Sequence, residues 1–384
     1  MYKFDFFTAG QGGVDSKILK ALVQPIFPSV HENFLELINT LKSNLKILFF
    51  ADEDTKVVPI AGTGTASMEI IILNAIEENE KVMVGVNGFF GERICEIVRR
   101  NRAIPIPIKK EWGEIITVND IEKVYKETNA KILYLVHGET STGVLQPLEE
   151  IGEFCKDNNI LFLVDGATTI GGVPFYMAKW NVNGVFTVSQ KCLGGIPGIS
   201  IIAIDEQYQK KMKNLNSNFK SFYLDLNLIL NDWYPPRIYH HTQPYSLLSS
   251  LNKCIEIIKS EGIENRWKRH INNMKVLVKG LEILGLDLFV KSEMYRLPTL
   301  VTFTLNGLNI DDFVCFMKNK FSIYISKGLG KYSHNMVRLG LMAENSYKNK
   351  VIYILFCIYI YLKARGIKVD ENTFFEFIKN SIET

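Results

Sequence analysis

Between residues 55 and 205 the sequence alternates short runs rich in Val, Ile and Leu with longer stretches of helical periodicity. The β-rich runs lie at 57–61, 81–86, 103–108, 131–137, 160–165, 184–188 and 200–204, and the helical patterns lie at 66–77, 91–100, 118–127 and 147–158. Strands that are apolar on both faces and separated by helices are typical of a parallel sheet covered on both sides. The alternation therefore predicts an α/β fold with a mostly parallel, seven-stranded sheet flanked by helices.

The sequence changes character on both sides of this region. A long amphipathic helix is predicted at 29–50, a polar loop at 214–236, and long helices from 244 to about 284. Toward the end the order becomes strand (299–305), helix (310–320), two strands (322–326 and 336–340) and helix (347–364). That order predicts a smaller α+β domain over 262–384, which follows a large domain over 16–261.

Composition excludes several classes of protein. The 44 Lys and Arg residues against 41 Asp and Glu give a net charge of +3, without the basic footprint of a nucleic-acid-binding protein. The most apolar run, 351–362, lies between two lysines and is too short to span a membrane. The six cysteines are scattered, and the adjacent His240 and His241 lack a suitably spaced carboxylate, so no metal site is predicted. Because the start shows no signal-peptide pattern, we expect a cytoplasmic protein.

A Gly- and Thr-rich turn joins the first strand of the sheet to the helix that follows it. The sequence there is AGTGTA, at 61–66. Backbone N–H groups around Gly64, together with the hydroxyls of Thr63 and Thr65, suit a phosphate group. The turn lacks the Gly-Lys-Ser/Thr of a P-loop and the glycine spacing of a dinucleotide fold. An anion site and a plain strand–helix turn are therefore equal alternatives for this segment.

Two charged residues follow later strands of the same sheet. Asp165 ends the run 160–165, and Lys191 comes directly after the run 184–188. Open α/β sheets bind ligands at the carboxyl ends of their strands, where burial suits a lysine to Schiff-base chemistry. Taken singly, the aspartate could be a helix cap and the lysine a solvated charge. An anion cradle, a carboxylate and a lysine together are what pyridoxal phosphate requires, and Phe89-Phe90 offers an aromatic ring to stack on it.

Several segments are similar to those of one known family. They are HGETSTGVLQP at 137–147, LVDG at 163–166, GGVP at 171–174 and SQKC at 189–192, followed by PG at 197–198. In this order and spacing they resemble the fold-type I, class V pyridoxal-phosphate aminotransferases, in the alanine–glyoxylate/serine–pyruvate branch. The resemblance extends from about residue 7 to residue 362, so it covers nearly the whole chain.

The resemblance implies a role for each matched residue. Lys191 matches the lysine that bonds to pyridoxal 5′-phosphate, and Asp165 matches the partner of its ring nitrogen. Arg338 matches the arginine that binds the substrate carboxylate. Further cofactor contacts are implied at Thr63, Gly64, Thr65, Phe90, Thr140 and Gln190, and, from the neighbouring subunit of a homodimer, at Tyr239 and Thr242.

The N-terminal segment departs from the family pattern. It reads TAGQGG at 8–13, where family members usually have a Gly-Pro turn near the substrate. The resemblance still implies that the segment 1–15 lies near the active site. Gly10 is expected to line the substrate pocket through its backbone.

The implied activity is transfer of an amino group from a small amino acid of the alanine or serine type to glyoxylate or pyruvate, by a ping-pong mechanism. One alternative is 2-aminoethylphosphonate–pyruvate transamination, whose enzymes usually have Ala-Asn-Lys where this chain has Ser-Gln-Lys. Another is a cysteine desulfurase, which usually has His at the position of Gln190 and a catalytic cysteine loop. A non-enzymatic binding protein is the third, and the presence of Asp165, Lys191 and Arg338 together argues against it.

Overall fold

The computed structural model describes residues 4–215 and 221–383. Its strands are β1 (Asp5–Phe7), β2 (Lys56–Ala61), β3 (Lys81–Val86), β4 (Ile104–Lys109), β5 (Ile132–Val136), β6 (Gly138–Glu139), β7 (Val144–Leu145), β8 (Leu161–Asp165), β9 (Gly184–Val188), β10 (Ile199–Ile204), β11 (Leu300–Phe303), β12 (Ile323–Lys327) and β13 (Val337–Gly340). Its helices are α1 (Ser16–Leu22), α2 (Glu32–Phe49), α3 (Gly64–Leu73), α4 (Phe89–Arg100), α5 (Val118–Thr128), α6 (Glu149–Asp157), α7 (Glu206–Lys213), α8 (Leu226–Trp233), α9 (Tyr245–Glu261), α10 (Ile263–Ile283), α11 (Ile310–Phe321), α12 (Lys348–Ala364) and α13 (Glu371–Glu383).

Seven strands form a large sheet in the order β2-β10-β9-β8-β5-β3-β4. Neighbouring strands are parallel except at β10, which runs antiparallel to both β2 and β9. Helices α2 and α8 pack beside β2, α3 packs on β9 and β10, α4 and α5 pack on β3 and β4, and α6 packs on β8. The predicted α/β class with a mostly parallel seven-stranded sheet is confirmed.

The strand directions bring several chain segments to one edge of this sheet. β10 is antiparallel to both of its neighbours, β2 and β9. β2 therefore points the same way as β9, and also as β8, β5 and β3. The carboxyl ends of these five strands therefore lie at the same edge, which is where α/β sheets bind ligands. Predicted cofactor-binding residues lie at the end of β8 and within four residues after the ends of β2, β3, β5 and β9.

A second sheet has four strands in the order β1-β12-β13-β11. β13 runs antiparallel to β11 and β12, and β1 adds to β12 in parallel, with Phe7 opposite Ile325. Helix α11 packs on β12, and α10 packs on β11 and α12. This sheet and these helices form the expected smaller α+β unit, and the N-terminal segment supplies one of its strands.

Each sheet has its own hydrophobic core. The first core lies between the large sheet and its helices and includes residues such as Val84, Leu135 and Ile201. The second includes Phe303 and Leu355 and also takes in Phe7 from the N-terminal strand. Within the described part of the chain, no helix is both long enough and apolar enough to cross a membrane.

The prediction of a polar loop at 214–236 is wrong over part of that range. Leu226–Trp233 forms α8, and the Asp225 carboxylate caps it by accepting hydrogen bonds from the N–H groups of Asn227 (2.9 Å) and Leu228 (3.3 Å). The helix buries Leu226, Ile229 and Trp233 on one side. Residues 216–220 of the same stretch lie outside the described residues.

Candidate active site

A cavity of about 190 Å³ opens at the carboxyl edge of the large sheet. It is lined by eight of the residues predicted to bind the cofactor, which are Thr63, Gly64, Thr65, Phe90, Thr140, Asp165, Gln190 and Lys191. Met68, Arg93, Val136, Gly138, Ala167, Thr168, Phe186 and Val188 complete the lining. The fold thus brings together residues that are up to 128 positions apart in the sequence, from 63 to 191.

Lys191 lies in the turn that follows β9. The turn is fixed by Ser189, whose N–H donates to the Ile199 carbonyl (3.0 Å) and whose carbonyl accepts from the N–H of Gly195 (2.7 Å). The Lys191 ammonium donates to the carbonyl oxygen of Ala9, in the N-terminal segment. Burial lowers the pKa of Lys191 to about 8. The cavity therefore contains an amine that is partly neutral, and nucleophilic, near neutral pH.

Asp165 is the last residue of β8 and is buried. One carboxylate oxygen accepts a hydrogen bond from the N–H of Ala167 (2.9 Å), which turns the side chain back over the start of the following loop. Burial raises the pKa of Asp165 to about 7, while the N–H of Ala167 and the charge of Lys191 lower it. A carboxylate in this position lacks a close cationic partner among the described residues, and a protonated ring nitrogen would supply one.

Thr63, Gly64 and Thr65 form the start of α3. Thr63 is the N-cap residue, in an extended conformation, and its hydroxyl makes no capping hydrogen bond to the helix. A Cβ on Gly64 would lie 3.0 Å from Cγ1 of Val188, so glycine lets the helix start close to the end of β9. Because all three residues line the cavity, the first helical turn and the two threonine hydroxyls are available there to an anion.

Gln190 lies between Lys191 and this helix start. Its buried Oε1 atom has no hydrogen-bond partner among the described residues. Buried polar atoms are normally paired, so this unpaired oxygen indicates a polar group that a ligand would meet on the cavity wall. Toward a phosphate the same side chain would present its N–H₂ group, which is the donor of the amide.

Phe90 lies in the first turn of α4 and is positioned by a buried acid that the sequence analysis did not single out. The Glu139 carboxylate accepts hydrogen bonds from the N–H of Phe90 (3.0 Å) and from the N–H and hydroxyl of Ser141 (2.9 and 2.6 Å). Burial raises the pKa of Glu139, and these donors oppose that rise. Glu139 lies in the segment 137–147 that supported the family resemblance, but its contact with α4 spans 49 positions and has no local signal.

Arg338 projects from β13 in the small sheet toward the large one. Its Nη1 donates to the backbone carbonyl of Thr140 (3.1 Å) and its Nε donates to the carbonyl of Lys327 (2.7 Å). Burial lowers its pKa to about 10, while the charge of Glu139 raises it. The Arg338 charge also contributes to the lowered pKa of Lys191.

Four of the predicted residues lie outside the cavity lining: Arg338, described above, and Tyr239, Thr242 and Gly10. Tyr239 and Thr242 are joined to each other by a hydrogen bond of 3.1 Å, and they line a separate surface groove together with the segment before α2. Gly10 is exposed next to Ala9, and its N–H donates to the Thr8 hydroxyl (3.3 Å). Gly10 therefore borders the site through Ala9.

Arg93 is a cavity residue that the sequence analysis missed. It lies one helical turn after Phe90 on α4 and is half-buried. Its spacing from Phe90 places the two side chains on the same face of the helix, which was the available sequence signal.

Pyridoxal phosphate fits these residues. The helix start and the Gln190 amide suit its phosphate, the Asp165 carboxylate suits its ring nitrogen, and the Lys191 amine suits its aldehyde. This cavity and this sheet define an enzyme of the pyridoxal-phosphate class.

The comparisons with known proteins identify the family. The sequence model described as aminotransferase class-V matches residues 19–364. The alanine–glyoxylate aminotransferase of Callithrix jacchus is 33% identical over 326 residues, which cover 84% of this chain and 78% of that protein. The chain therefore belongs to the class V aminotransferases and is a pyridoxal-phosphate-dependent transaminase.

Solved structures agree with this assignment. An alanine–glyoxylate aminotransferase from Nostoc sp. superposes with a TM-score of 0.89 at 33% identity, covering 93% of this chain and 94% of that one. A ureidoglycine–glyoxylate aminotransferase from Bacillus subtilis superposes with a TM-score of 0.96 at 27% identity, covering 100% and 99% of the two chains. The similarity thus includes both sheets and the N-terminal strand.

Proposed function

We propose that this enzyme transfers an amino group from a small amino acid of the alanine or serine type to glyoxylate or pyruvate. The observation that supports this most is that Lys191 and Asp165 line one small cavity, while Arg338 donates a hydrogen bond to the carbonyl of Thr140 on its wall. Glyoxylate appears in the names of two of the similar proteins, from Nostoc sp. and from Bacillus subtilis, which supports it as the amino acceptor.

Lys191 is the proposed acid–base catalyst. Its Nζ atom takes the α-proton of the bound amino acid as a general base and later returns a proton as a general acid. The lowered pKa of about 8 suits both tasks, because the amine changes protonation state close to neutral pH. The hydrogen bond to the Ala9 carbonyl orients Nζ within the site.

Pyridoxal phosphate, when bound, supplies an electron sink for the carbanion that forms at the substrate α-carbon. Asp165 would hold a proton on the ring nitrogen, and Phe90 would stack on the ring. Thr63, Gly64, Thr65 and Gln190 would hold the phosphate, and Thr140 would contact the phenolic oxygen.

Arg338 is the proposed carboxylate receptor for the amino acid and the oxo acid. Its guanidinium is fixed by two backbone carbonyls, so little side-chain entropy is lost when a carboxylate binds. Both substrates use the same arginine in turn, and the first product must therefore leave before the second substrate enters. This order predicts ping-pong kinetics.

A homodimer is proposed as the working unit. Tyr239 is 67% exposed, and the exposed Ile26 lines the same groove. Val30 and Ile238, each next in sequence to a residue of the groove, are exposed as well. An apolar surface of this kind is typical of an interface between subunits. In such a dimer Tyr239 and Thr242 would reach the phosphate of the neighbouring site. Sedimentation equilibrium of the purified protein tests this, and a monomer with full activity would contradict it.

A second candidate donor is (S)-ureidoglycine, because the ureidoglycine–glyoxylate aminotransferase superposes over the whole chain. A cytoplasmic location is also proposed, on the sequence evidence of scattered cysteines without a pairing pattern.

The experiment that tests the proposed function is a single-turnover screen of amino donors. Alanine, serine, (S)-ureidoglycine and 2-aminoethylphosphonate are added separately to the holoenzyme, and conversion of the lysine-bound cofactor to pyridoxamine phosphate is followed by absorbance. We expect alanine or serine to convert it. In a Lys191→Ala variant, which lacks the bond between the protein and the cofactor, we expect pyridoxamine phosphate to form far more slowly. Conversion by 2-aminoethylphosphonate alone, or normal turnover by the variant, would contradict the proposal.

A further inference from the structure

Arg93 lies between the two ends of the proposed cofactor position. Its guanidinium carbon is 4.9 Å from the centroid of the Phe90 ring. Its Nη1 atom is 3.5 Å from the hydroxyl oxygen of Thr65, at the start of α3. The side chain therefore extends from the predicted ring-stacking residue to the predicted phosphate cradle.

Without Arg93, the residues of the phosphate cradle carry too little positive charge to balance a phosphate group. Thr63, Thr65 and Gln190 are neutral, and the helix start supplies only a partial positive charge. A phosphate monoester near pH 7 has a charge of about −1.5 to −2. Among the described residues that line the cavity, the cationic side chains are Lys191 and Arg93. The Lys191 nitrogen would be bonded to the aldehyde carbon of the cofactor and could not bind the phosphate as well.

Arg93 is also available to a ligand. Among the described residues, no carboxylate lies within ion-pair distance of it. This differs from Arg266 and Arg269, which both pair with Glu261, and from Arg99 and Arg100 on the same helix, which pair with Glu96. A half-buried, unpaired guanidinium on a cavity wall is suited to a phosphate, which it can bind with two parallel hydrogen bonds.

We propose that Arg93 binds the phosphate group of the cofactor and supplies the cation that the cradle otherwise lacks. This proposal rests on the proposed placement of pyridoxal phosphate in the cavity. It adds to the Thr63–Thr65 turn a charged residue from a different helix, so that α3 and α4 hold the phosphate from two sides.

Arg93 has a second candidate role, and the experiment must distinguish it from phosphate binding. Its guanidinium lies over Phe89 and Phe90, so it could position the stacking ring. Loss of ring positioning would weaken the binding of pyridoxal and of pyridoxal phosphate alike. Loss of a phosphate contact would weaken only the binding of the phosphorylated compound.

The test is a comparison of two ligands in four proteins. Dissociation constants for pyridoxal phosphate and for pyridoxal are measured by absorbance titration of the wild-type apoenzyme and of Arg93→Gln, Arg93→Lys and Arg100→Gln. Arg100→Gln is the matched control, because Arg100 lies on the exposed side of the same helix, with 76% of its side chain exposed. The readout is the ratio of the two dissociation constants, so no turnover is required.

For Arg93→Gln we expect the affinity for pyridoxal phosphate to fall about 10- to 100-fold and the affinity for pyridoxal to change less than about threefold. Arg93→Lys retains the charge but loses the two-point contact, so we expect a smaller fall for pyridoxal phosphate alone. Arg100→Gln should match the wild type. If Arg93→Gln does not fold, the ratio of the two dissociation constants measured for Arg93→Lys tests the proposal instead.

An equal loss for both ligands, or no loss for either, would overturn the proposal. If the wild-type protein bound neither ligand, the placement of the cofactor in this cavity would be wrong instead, so the two failures are distinguishable.

Discussion

Replacement of Asp165 by Asn should stabilise the apoenzyme while it damages the holoenzyme. Burial raises the pKa of Asp165 from 3.8 to about 7 in the folded protein. At 1.36 kcal/mol per pKa unit, the charged form of this side chain costs the folded apoenzyme about 4 kcal/mol. Asn keeps the oxygen that accepts from the Ala167 N–H but has no charge to bury.

The pH dependence of this effect has a definite sign. Below pH 3.8 Asp165 is neutral in both the folded and the unfolded chain, and the cost is absent. Between pH 3.8 and about 7 the unfolded chain loses the proton while the folded chain keeps it, so the free energy of unfolding falls as the pH rises. Above about pH 7 both states are ionised and the cost is complete. The advantage of Asp165→Asn should therefore grow across this range and then level off.

The assay is urea unfolding of the two apoenzymes at pH 5 and pH 8, followed by tryptophan fluorescence. We expect Asp165→Asn to be more stable by about 1–2 kcal/mol at pH 5 and by about 4 kcal/mol at pH 8. Asp157→Asn, at an exposed position on α6, is the matched control and should show no difference between the two pH values. In the holoenzyme, loss of the Asp165 charge should reduce kcat on the order of 10²–10³-fold. An apoenzyme variant that is less stable than wild type at pH 8 would refute the reasoning.

Three further substitutions have defined outcomes. Arg338→Lys removes the two-point contact with a carboxylate, so the KM for the amino donor should rise about 10- to 100-fold with a smaller change in kcat; a change in kcat alone would contradict this role. In Glu139→Gln, one carboxylate oxygen that accepts a hydrogen bond from a backbone N–H is replaced by an N–H₂ group, which cannot accept, so the free energy of unfolding of the apoenzyme in urea should fall by about 1–3 kcal/mol. An unchanged midpoint would contradict the contact with Phe90. Gly91→Ala would place a Cβ 2.4 Å from the Gly85 carbonyl oxygen, so α4 should be displaced from β3 and the affinity for pyridoxal phosphate should fall, which the same absorbance titration measures.

The large sheet could be predicted because its strands are apolar on both faces and regularly spaced. What the sequence could not show was the antiparallel direction of β10, because nothing in the run 199–204 distinguishes the two directions. Helix α8 was missed for a different reason. Its sequence contains two asparagines and an aspartate, and it is stabilised by a distant contact, in which the Asn74 side chain accepts from the Leu226 N–H (2.9 Å).

The residues of the candidate site also fall into those that could be predicted from the sequence and those that could not. Lys191, Asp165 and the turn at 63–65 could be predicted because each lies at the end of a strand or within four residues of it. Glu139 could not, because its importance depends on a contact with Phe90 on a separate helix. Arg93 shares a helix face with Phe90, but its proximity to Thr65 depends on how α4 packs beside α3. The N-terminal strand β1 has only three residues, and its pairing with β12 spans more than three hundred positions, beyond any local pattern.

In the proposed reaction Lys191 holds the cofactor in this cavity and releases it as the amine form when a donor reacts. This reaction is tested most directly by borohydride reduction of the holoenzyme followed by peptide mass mapping, before and after excess alanine or serine. Before the donor is added, the pyridoxyl group should be found on the peptide that contains Lys191. After the donor is added, that label should be absent, because the cofactor is then pyridoxamine phosphate and is no longer bonded to the protein. A label on a different lysine, or a label on Lys191 that persists with every donor, would contradict the account.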